Sequence, residues 1–149
     1  MNRRVMLVGP VGAGKTSLIK ALHNDSGRAA KTQSIEFSDG AIDTPGEYAQ
    51  IPRFYSALMV TAAEASLILV LQDASRCDAT LPPGFAGMFA RPVVGVVSKI
   101  DDPLANRDRA AARLREAGAG KPIFYVSAHT GEGLNELMDY LQREVQANE

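Results

Sequence analysis

An α/β fold, with a largely parallel sheet and helices on both faces, is what the sequence predicts. Three observations point there. Short apolar runs alternate with longer segments of helical period. The apolar runs are near-continuous rather than alternating, as in strands buried on both sides. A glycine-rich loop also joins the first apolar run to the first helical segment. Val5-Met6-Leu7-Val8 is the first strand, and it stops at Gly9. A helix is expected from Gly14 to His23. Gln33 to Ser38 then alternates polar and apolar residues, and Ser38-Asp39-Gly40 supplies a turn before Ala41-Ile42-Asp43, so this hairpin is the one antiparallel element expected. Pro52 suits a first helical position and opens a helix to about Ala65. Ser66 to Gln72 and Pro92 to Ser98 read as two further buried strands, with a Pro82-Pro83-Gly84 loop between them. A helix from Arg107 to Ala117 is stopped by Gly118, Pro122 to Val126 is the last strand, and a final helix sets Leu134, Leu137, Met138, Leu141 and Val145 on one face.

The 149 residues have the length of one domain. No repeat, low-complexity tract or linker divides them. With 16 Lys+Arg against 17 Asp+Glu, no global field favours DNA, RNA or anionic lipid, and no nucleic-acid partner is expected. Any bound anion must be held locally. The one cysteine, Cys77, cannot form an internal disulfide, which fits a reducing compartment. Met1-Asn2-Arg3-Arg4 runs straight into a strand rather than into a long apolar segment, and no stretch of about 18 apolar residues occurs. A cytoplasmic location without a membrane span is expected.

Directly after the first strand, Gly9-Pro10-Val11-Gly12-Ala13-Gly14-Lys15-Thr16 fills the GxxxxGK[ST] template in its strand-loop-helix context. Glycines let consecutive backbone N–H groups turn inward around a polyphosphate, and the following helix points its positive end at the same charge. Gly9, Val11, Gly12, Ala13, Gly14, Lys15, Thr16 and the following Ser17 are the expected phosphate-side contacts. Lys15 would reach the β- and γ-phosphates, and the Thr16 hydroxyl would ligate Mg²⁺, a hard ion that prefers oxygen. The competing reading is a plain glycine-rich turn between strand and helix.

Asp43-Thr44-Pro45-Gly46-Glu47 places a carboxylate at a strand tip ahead of a glycine loop. Asp43 is the expected outer partner of the Mg²⁺ site, and the Gly46 N–H would meet the γ-phosphate in a loop that relaxes when that phosphate leaves. Without the phosphate loop, Asp43 would read as a carboxylate in a turn. Thr32, in the polar stretch Lys31-Thr32-Gln33, would complete the metal shell in the triphosphate state; otherwise it is a threonine in a solvated loop.

Ser98-Lys99-Ile100-Asp101 and Ser127-Ala128-His129 each follow a buried strand. Ligands in open α/β sheets bind at the carboxyl ends of strands, so both loops fall on the phosphate side. The Asp101 carboxylate can accept from the N1–H and exocyclic amine of guanine, whereas adenine presents an acceptor there and leaves it unpaired. Lys99 would lay its stem along the base, and the Ala128 N–H would bond the guanine O6. Asp101 alternatively reads as a helix cap or turn residue. His129 lies in the base loop without assigned chemistry, and His23 near a helix end is a surface residue.

With these residues in place, the chain resembles the small Ras-like GTPases, and more specifically the EutP/PduV family of ethanolamine- and propanediol-utilisation proteins linked to bacterial microcompartments. The resemblance covers nearly the whole chain: GPVGAGKTSL at 9–18, KTQSIEF at 31–37, DTPGEY at 43–48, RFYSAL at 53–58, PPGFAGMF at 82–89, VVGVVSKID at 93–101 and VSAHTGEG at 126–133. It implies a three-layer P-loop NTPase (Ras-like) fold whose mostly parallel six-stranded sheet has one antiparallel strand. It also implies Lys15 and Thr16 for phosphate and Mg²⁺, Thr32 and Asp43 for the switches, and Lys99 and Asp101 for guanine in a GTP/GDP cycle. A microcompartment role as an assembly or positioning factor follows from the same resemblance, and an acetate-kinase activity has been proposed in this family.

Several residues depart from the wider superfamily. Ser98 stands where most GTPases carry Asn or Thr, which predicts a weaker tether from base loop to phosphate loop. Glu47 occupies the place of a water-orienting Gln, where an ionised carboxylate is repelled by a γ-phosphate unless it acts as a base, and Lys15, Gly46 and Glu47 form the expected catalytic set. Gly12 stands where potassium-dependent relatives place Asn. No arginine is evidently placed to stabilise a transition state, Arg28 and Arg53 being the candidates, and slow turnover is expected. Three functions follow: a GTPase switch; a phosphotransferase moving a γ-phosphoryl to a small carboxylate near Glu47; and a non-catalytic binding module whose Phe54, Tyr55 and Phe85 dock a microcompartment shell or enzyme protein.

Overall fold

A computed structural model describes residues 4–10, 12–29, 41–78 and 81–147. Its strands are β1 (Val5–Val8), β2 (Ala41–Asp43), β3 (Leu67–Asp73), β4 (Val93–Ser98) and β5 (Ile123–Tyr125). Its α-helices are α1 (Lys15–Ala29), α2 (Gly46–Gln50), α3 (Tyr55–Ala62), α4 (Arg107–Glu116) and α5 (Leu134–Ala147), with short 3₁₀ turns at Pro52–Phe54 and Phe85–Met88. The sheet order is β2-β1-β3-β4-β5, and every pairing is parallel.

Five strands, not six, therefore make the sheet among the described residues. The antiparallel partner expected over Gln33–Ser38, and the turn after it, lie outside the described residues. Ala41–Asp43, expected as the second arm of that hairpin, instead takes its described partner from β1 in parallel register, Met6 facing Ile42.

The continuous apolar strands are explained by what covers them. In β1, Met6 and Val8 join one core with Ile68, Val70, Leu58 of α3 and Leu114 of α4. Val5 and Leu7 join the other, with Leu67, Leu69, Leu18 of α1 and Leu137 of α5. Because side chains alternate across a strand, a helix layer on each face buries both sets, and no polar position is left over. The predicted stripe of α5 is buried at Leu134, Leu137, Met138 and Leu141.

The segment from 44 to 65 departs from the glycine loop at 43–47 and the one helix from Pro52 to about Ala65 that were expected. A short α2 comes first, with Glu47 in its first turn favoured by the helix dipole. Ile51 then extends the chain, and Pro52 opens the 3₁₀ turn that leads into α3. The proline does start a helical element, but three residues of it are 3₁₀.

Gly95 in β4 shows how closely a helix layer sits on the sheet. A Cβ there would overlap the Ala119 carbonyl oxygen and lie 3.1 Å from Leu114 Cδ1 and 3.3 Å from Ile123 Cγ1. Backbone cannot step aside as a side-chain tip can, so Gly95→Ala is expected to cost about 2 kcal/mol of stability. Urea unfolding of the variant checks this, and an unchanged midpoint would contradict the packing described.

The strand order reverses direction beside β1: the chain leaves β1 toward β2 on one side and returns to β3 on the other. A crevice opens at the carboxyl ends of the strands at such a point. The loop after β1 stands at that crevice.

Candidate functional site

The loop from Gly9 to Gly14 is shaped by backbone that only glycine adopts readily. Gly12 and Gly14 have φ of +86° and +94°, in the left-handed region. Ala13 N–H closes a turn on the Pro10 carbonyl at 3.1 Å. The first N–H groups of a helix have no partner within it, and those of α1 begin at this loop. Val11 lies outside the described residues.

Lys15 begins α1 but is 7% exposed. Its Nζ donates to the carbonyls of Gly9 at 2.7 Å and Pro10 at 3.2 Å. Burial lowers its pKa below the ordinary lysine value, while the carboxylates of Asp43 and Glu47 partly counter that effect. The result is a poorly solvated cation that feels two nearby carboxylates.

Thr16 Oγ1 donates to Asp43 Oδ2 at 2.7 Å, which joins α1 to the tip of β2. Thr44 pins that tip, its hydroxyl donating to the Leu7 carbonyl at 2.9 Å. A hydroxyl and a carboxylate are hard oxygen donors of the kind Mg²⁺ takes, so the residues fit that ion. Among the described residues no group of three His, Cys, Asp or Glu side chains could hold a metal. The Thr16–Asp43 pair would therefore need phosphate oxygens and water to complete a shell. Thr32, expected as a further ligand, lies outside the described residues.

A cavity of about 530 Å³ is lined by Gly12, Lys15, Thr16, Asp43 and Gly46, among others. Glu47, one residue on, is exposed and does not line it. A second cavity, of about 470 Å³, is lined by Lys20, Ser98, Lys99, Asp101, Ala128 and His129, among others. Gly14 and Ser17 line both, so the two form one cleft.

On this second side the loops are tied together. Ser98 Oγ donates to the Ala13 carbonyl at 2.8 Å, so the tether that a serine was expected to weaken is made by one short bond. Lys99 Nζ donates to the Gly12 carbonyl at 2.6 Å. Asp101 Oδ1 accepts from the buried Ser127 hydroxyl at 2.8 Å, and Ser127 Oγ accepts from the Thr130 N–H at 2.9 Å. Asp101 itself is exposed toward the cleft, with acceptor capacity left for a ligand.

The aromatic docking surface expected from Phe54, Tyr55 and Phe85 is not present as such. Phe85 is 3% exposed, and Tyr55 packs edge-on against it at 5.6 Å. Phe54 stacks on Tyr48 at 4.8 Å and carries the Arg53 guanidinium at 4.9 Å. The aromatic content was apparent in sequence, but which face each ring presents depends on the layer it packs under. Arg53 caps a ring rather than lining the cleft, and the Arg28 side chain lies outside what is described. Two residues had no assigned part in the sequence reading: Lys20 on α1, which lines the second cavity, and Asp73, which ends β3 and pairs with the wall residue Lys99. An acidic residue at the carboxyl end of a central strand was the available signal for Asp73.

Known proteins align with this chain over most of its length. The protein named as probable acetate kinase EutP from Escherichia coli is 38% identical over 93% of this chain and 89% of its own. The propanediol utilization protein PduV of Citrobacter freundii is 39% identical over 93% of each. Among solved structures, the FeoB G-domain from Methanococcus jannaschii superposes with a TM-score of 0.64 at 19% identity, covering 96% of this chain and 97% of that one. That likeness shows the fold: the chain has the three-layer architecture of a G-domain. Residues 2–143 match the family described as "Ethanolamine utilisation - propanediol utilisation", and the chain belongs to this PduV-EutP family.

Proposed function

We propose that this protein binds guanine nucleotide and hydrolyses GTP to GDP with Mg²⁺, acting as a switch or positioning factor in ethanolamine or propanediol utilisation at a bacterial microcompartment. The observation that carries this reading is the single cleft with Lys15 and the Thr16–Asp43 pair at one end and Asp101 at the other. A polyphosphate and a base joined by a sugar fit such a division of chemistry.

Lys15 supplies a cation made more responsive to phosphate by its poor solvation. The loop amides and the α1 N-terminus add fixed positive dipoles. When bound, Mg²⁺ supplies charge neutralisation between the β- and γ-phosphates. Gly46, on the cavity wall, offers its N–H to the terminal phosphate. Among the described residues no arginine lines either cavity, so intrinsic turnover is slow, on the order of 10⁻⁴ to 10⁻² s⁻¹. An activating partner would then supply the missing charge.

Titration with mant-GDP and mant-ADP in Mg²⁺, together with phosphate release from GTP, tests the reading. Preference for guanine with slow, protein-dependent release is expected; equal binding of both would overturn the guanine assignment. Acetate added to the same reaction tests the activity for which the Escherichia coli relative is named, and acetyl phosphate would mark a phosphotransferase. Turnover no faster than buffer would leave a nucleotide-dependent binding module. Glu47→Gln is expected to lower turnover about tenfold or more, with GTP affinity within about twofold, because its carboxylate is exposed beside the cavity rather than on its wall. An unaltered rate would remove Glu47 from the chemistry.

A further inference from the structure

A buried acid at the end of β3 is left over once phosphate, metal and base have been accounted for. Asp73 is 7% exposed and terminates a strand flanked by β1 and β4. Its Oδ1 accepts from both the Ser75 N–H at 2.8 Å and the Ser75 hydroxyl at 2.6 Å. Its Oδ2 lies 3.1 Å from Lys99 Nζ. Burial pushes the carboxyl up, but the two Ser75 bonds and the Lys99 ammonium outweigh it and hold the group below the usual carboxylate range.

Lys99 is the one non-glycine residue among those described with a positive φ, +60°. L-residues adopt that conformation at a cost, so something must hold it there. Its ammonium is gripped on two sides, by Asp73 and by the Gly12 carbonyl. Its Cε lies 3.6 Å from where a Cβ on Gly14 would stand, which places the stem across the point where the two cavities meet. A free lysine stem samples many rotamers, and ordering it on binding weakens affinity.

We propose that Asp73 is a positioning residue of the nucleotide cleft: it anchors the Lys99 ammonium so that the methylene stem is already laid out as a platform for the base. The inference rests on the guanine-nucleotide reading above. Asp73 does not touch the ligand; it acts through Lys99. Ser75 acts one step further out, by fixing which way the Asp73 carboxylate faces.

The test is calorimetric binding of GDP and of pyrophosphate, each with Mg²⁺, to wild type, Asp73→Asn, Lys99→Ala and the double variant. Asn keeps the volume and the acceptor for Ser75 while removing the charge. Asp73→Asn is expected to weaken GDP binding about tenfold and to leave pyrophosphate, which has no base, within about twofold. In the Lys99→Ala background it is expected to add less than about twofold, because the residue it acts through is gone. Ser75→Ala, a milder change that serves should Asp73→Asn fail to fold, is expected to weaken GDP binding about threefold. Unchanged GDP affinity in Asp73→Asn, an equal loss with and without Lys99, or an equal loss for pyrophosphate would each overturn the proposal. Wild type that binds pyrophosphate but not GDP would overturn the guanine reading itself, and the proposal with it.

Discussion

Lys15→Ala is expected to weaken Mg²⁺-GDP binding by at least about 30-fold and to leave folding stability within about 1 kcal/mol. The two effects separate because of where the ammonium sits. Its bonds are to the carbonyls of Gly9 and Pro10, in the loop that leads into the cleft, and not to another side chain. Truncation removes a charge that burial already disfavours, which offsets part of the cost of losing its two bonds to backbone carbonyls. The ligand, by contrast, loses a cation that no other described residue on the phosphate wall replaces. Calorimetric titration alongside thermal unfolding checks both halves. Retained affinity would contradict the cradle, and a large fall in melting temperature would mean that Lys15 holds the loop rather than the ligand.

Asp101→Asn is expected to weaken GDP binding by about 100-fold or more and to abolish preference over ADP. The amide still accepts the Ser127 hydroxyl bond, so the loop keeps its shape. Its N–H₂, however, now faces the N1–H and exocyclic amine of guanine, donor against donor. Xanthine carries a carbonyl in place of that amine, and the variant is expected to gain affinity for it. Competition of mant-GDP by xanthosine diphosphate measures the exchange. Loss of GDP binding with no gain for xanthosine diphosphate would mean that the loop, not base recognition, had been damaged.

The elements of this fold were readable where one local cause dominates. Val5–Val8 reads as a doubly buried strand because every position is apolar, and α5 because its apolar positions recur at helical spacing. Gly118, with φ of +88°, ends α4 as its left-handed freedom predicts. The misreading of the helix opened by Pro52, and of the loop before it, has an equally local origin. Proline marks a helical start but does not choose between α and 3₁₀, and nothing in the pattern announced a separate α2. Phe85 was taken for part of a docking surface because an aromatic residue beside a proline-glycine loop suits such a site as well as a core. The α3 and α4 layers that share its core are remote in sequence.

By itself the sequence determined the five described strands, α1, α4 and α5, the GxxxxGK[ST] loop and the acidic and basic residues at strand ends, since each rests on spacing and backbone preference within a few residues. Tertiary structure alone decided which of those ends meet. Ser98 reaches Ala13 across 85 positions, and Lys99 reaches both Gly12 and Asp73, only because β3 and β4 follow β1 in the sheet and all their carboxyl ends point the same way. Strand order is set by how the apolar faces of whole helices are buried, a sum over the entire core that no short stretch of residues encodes.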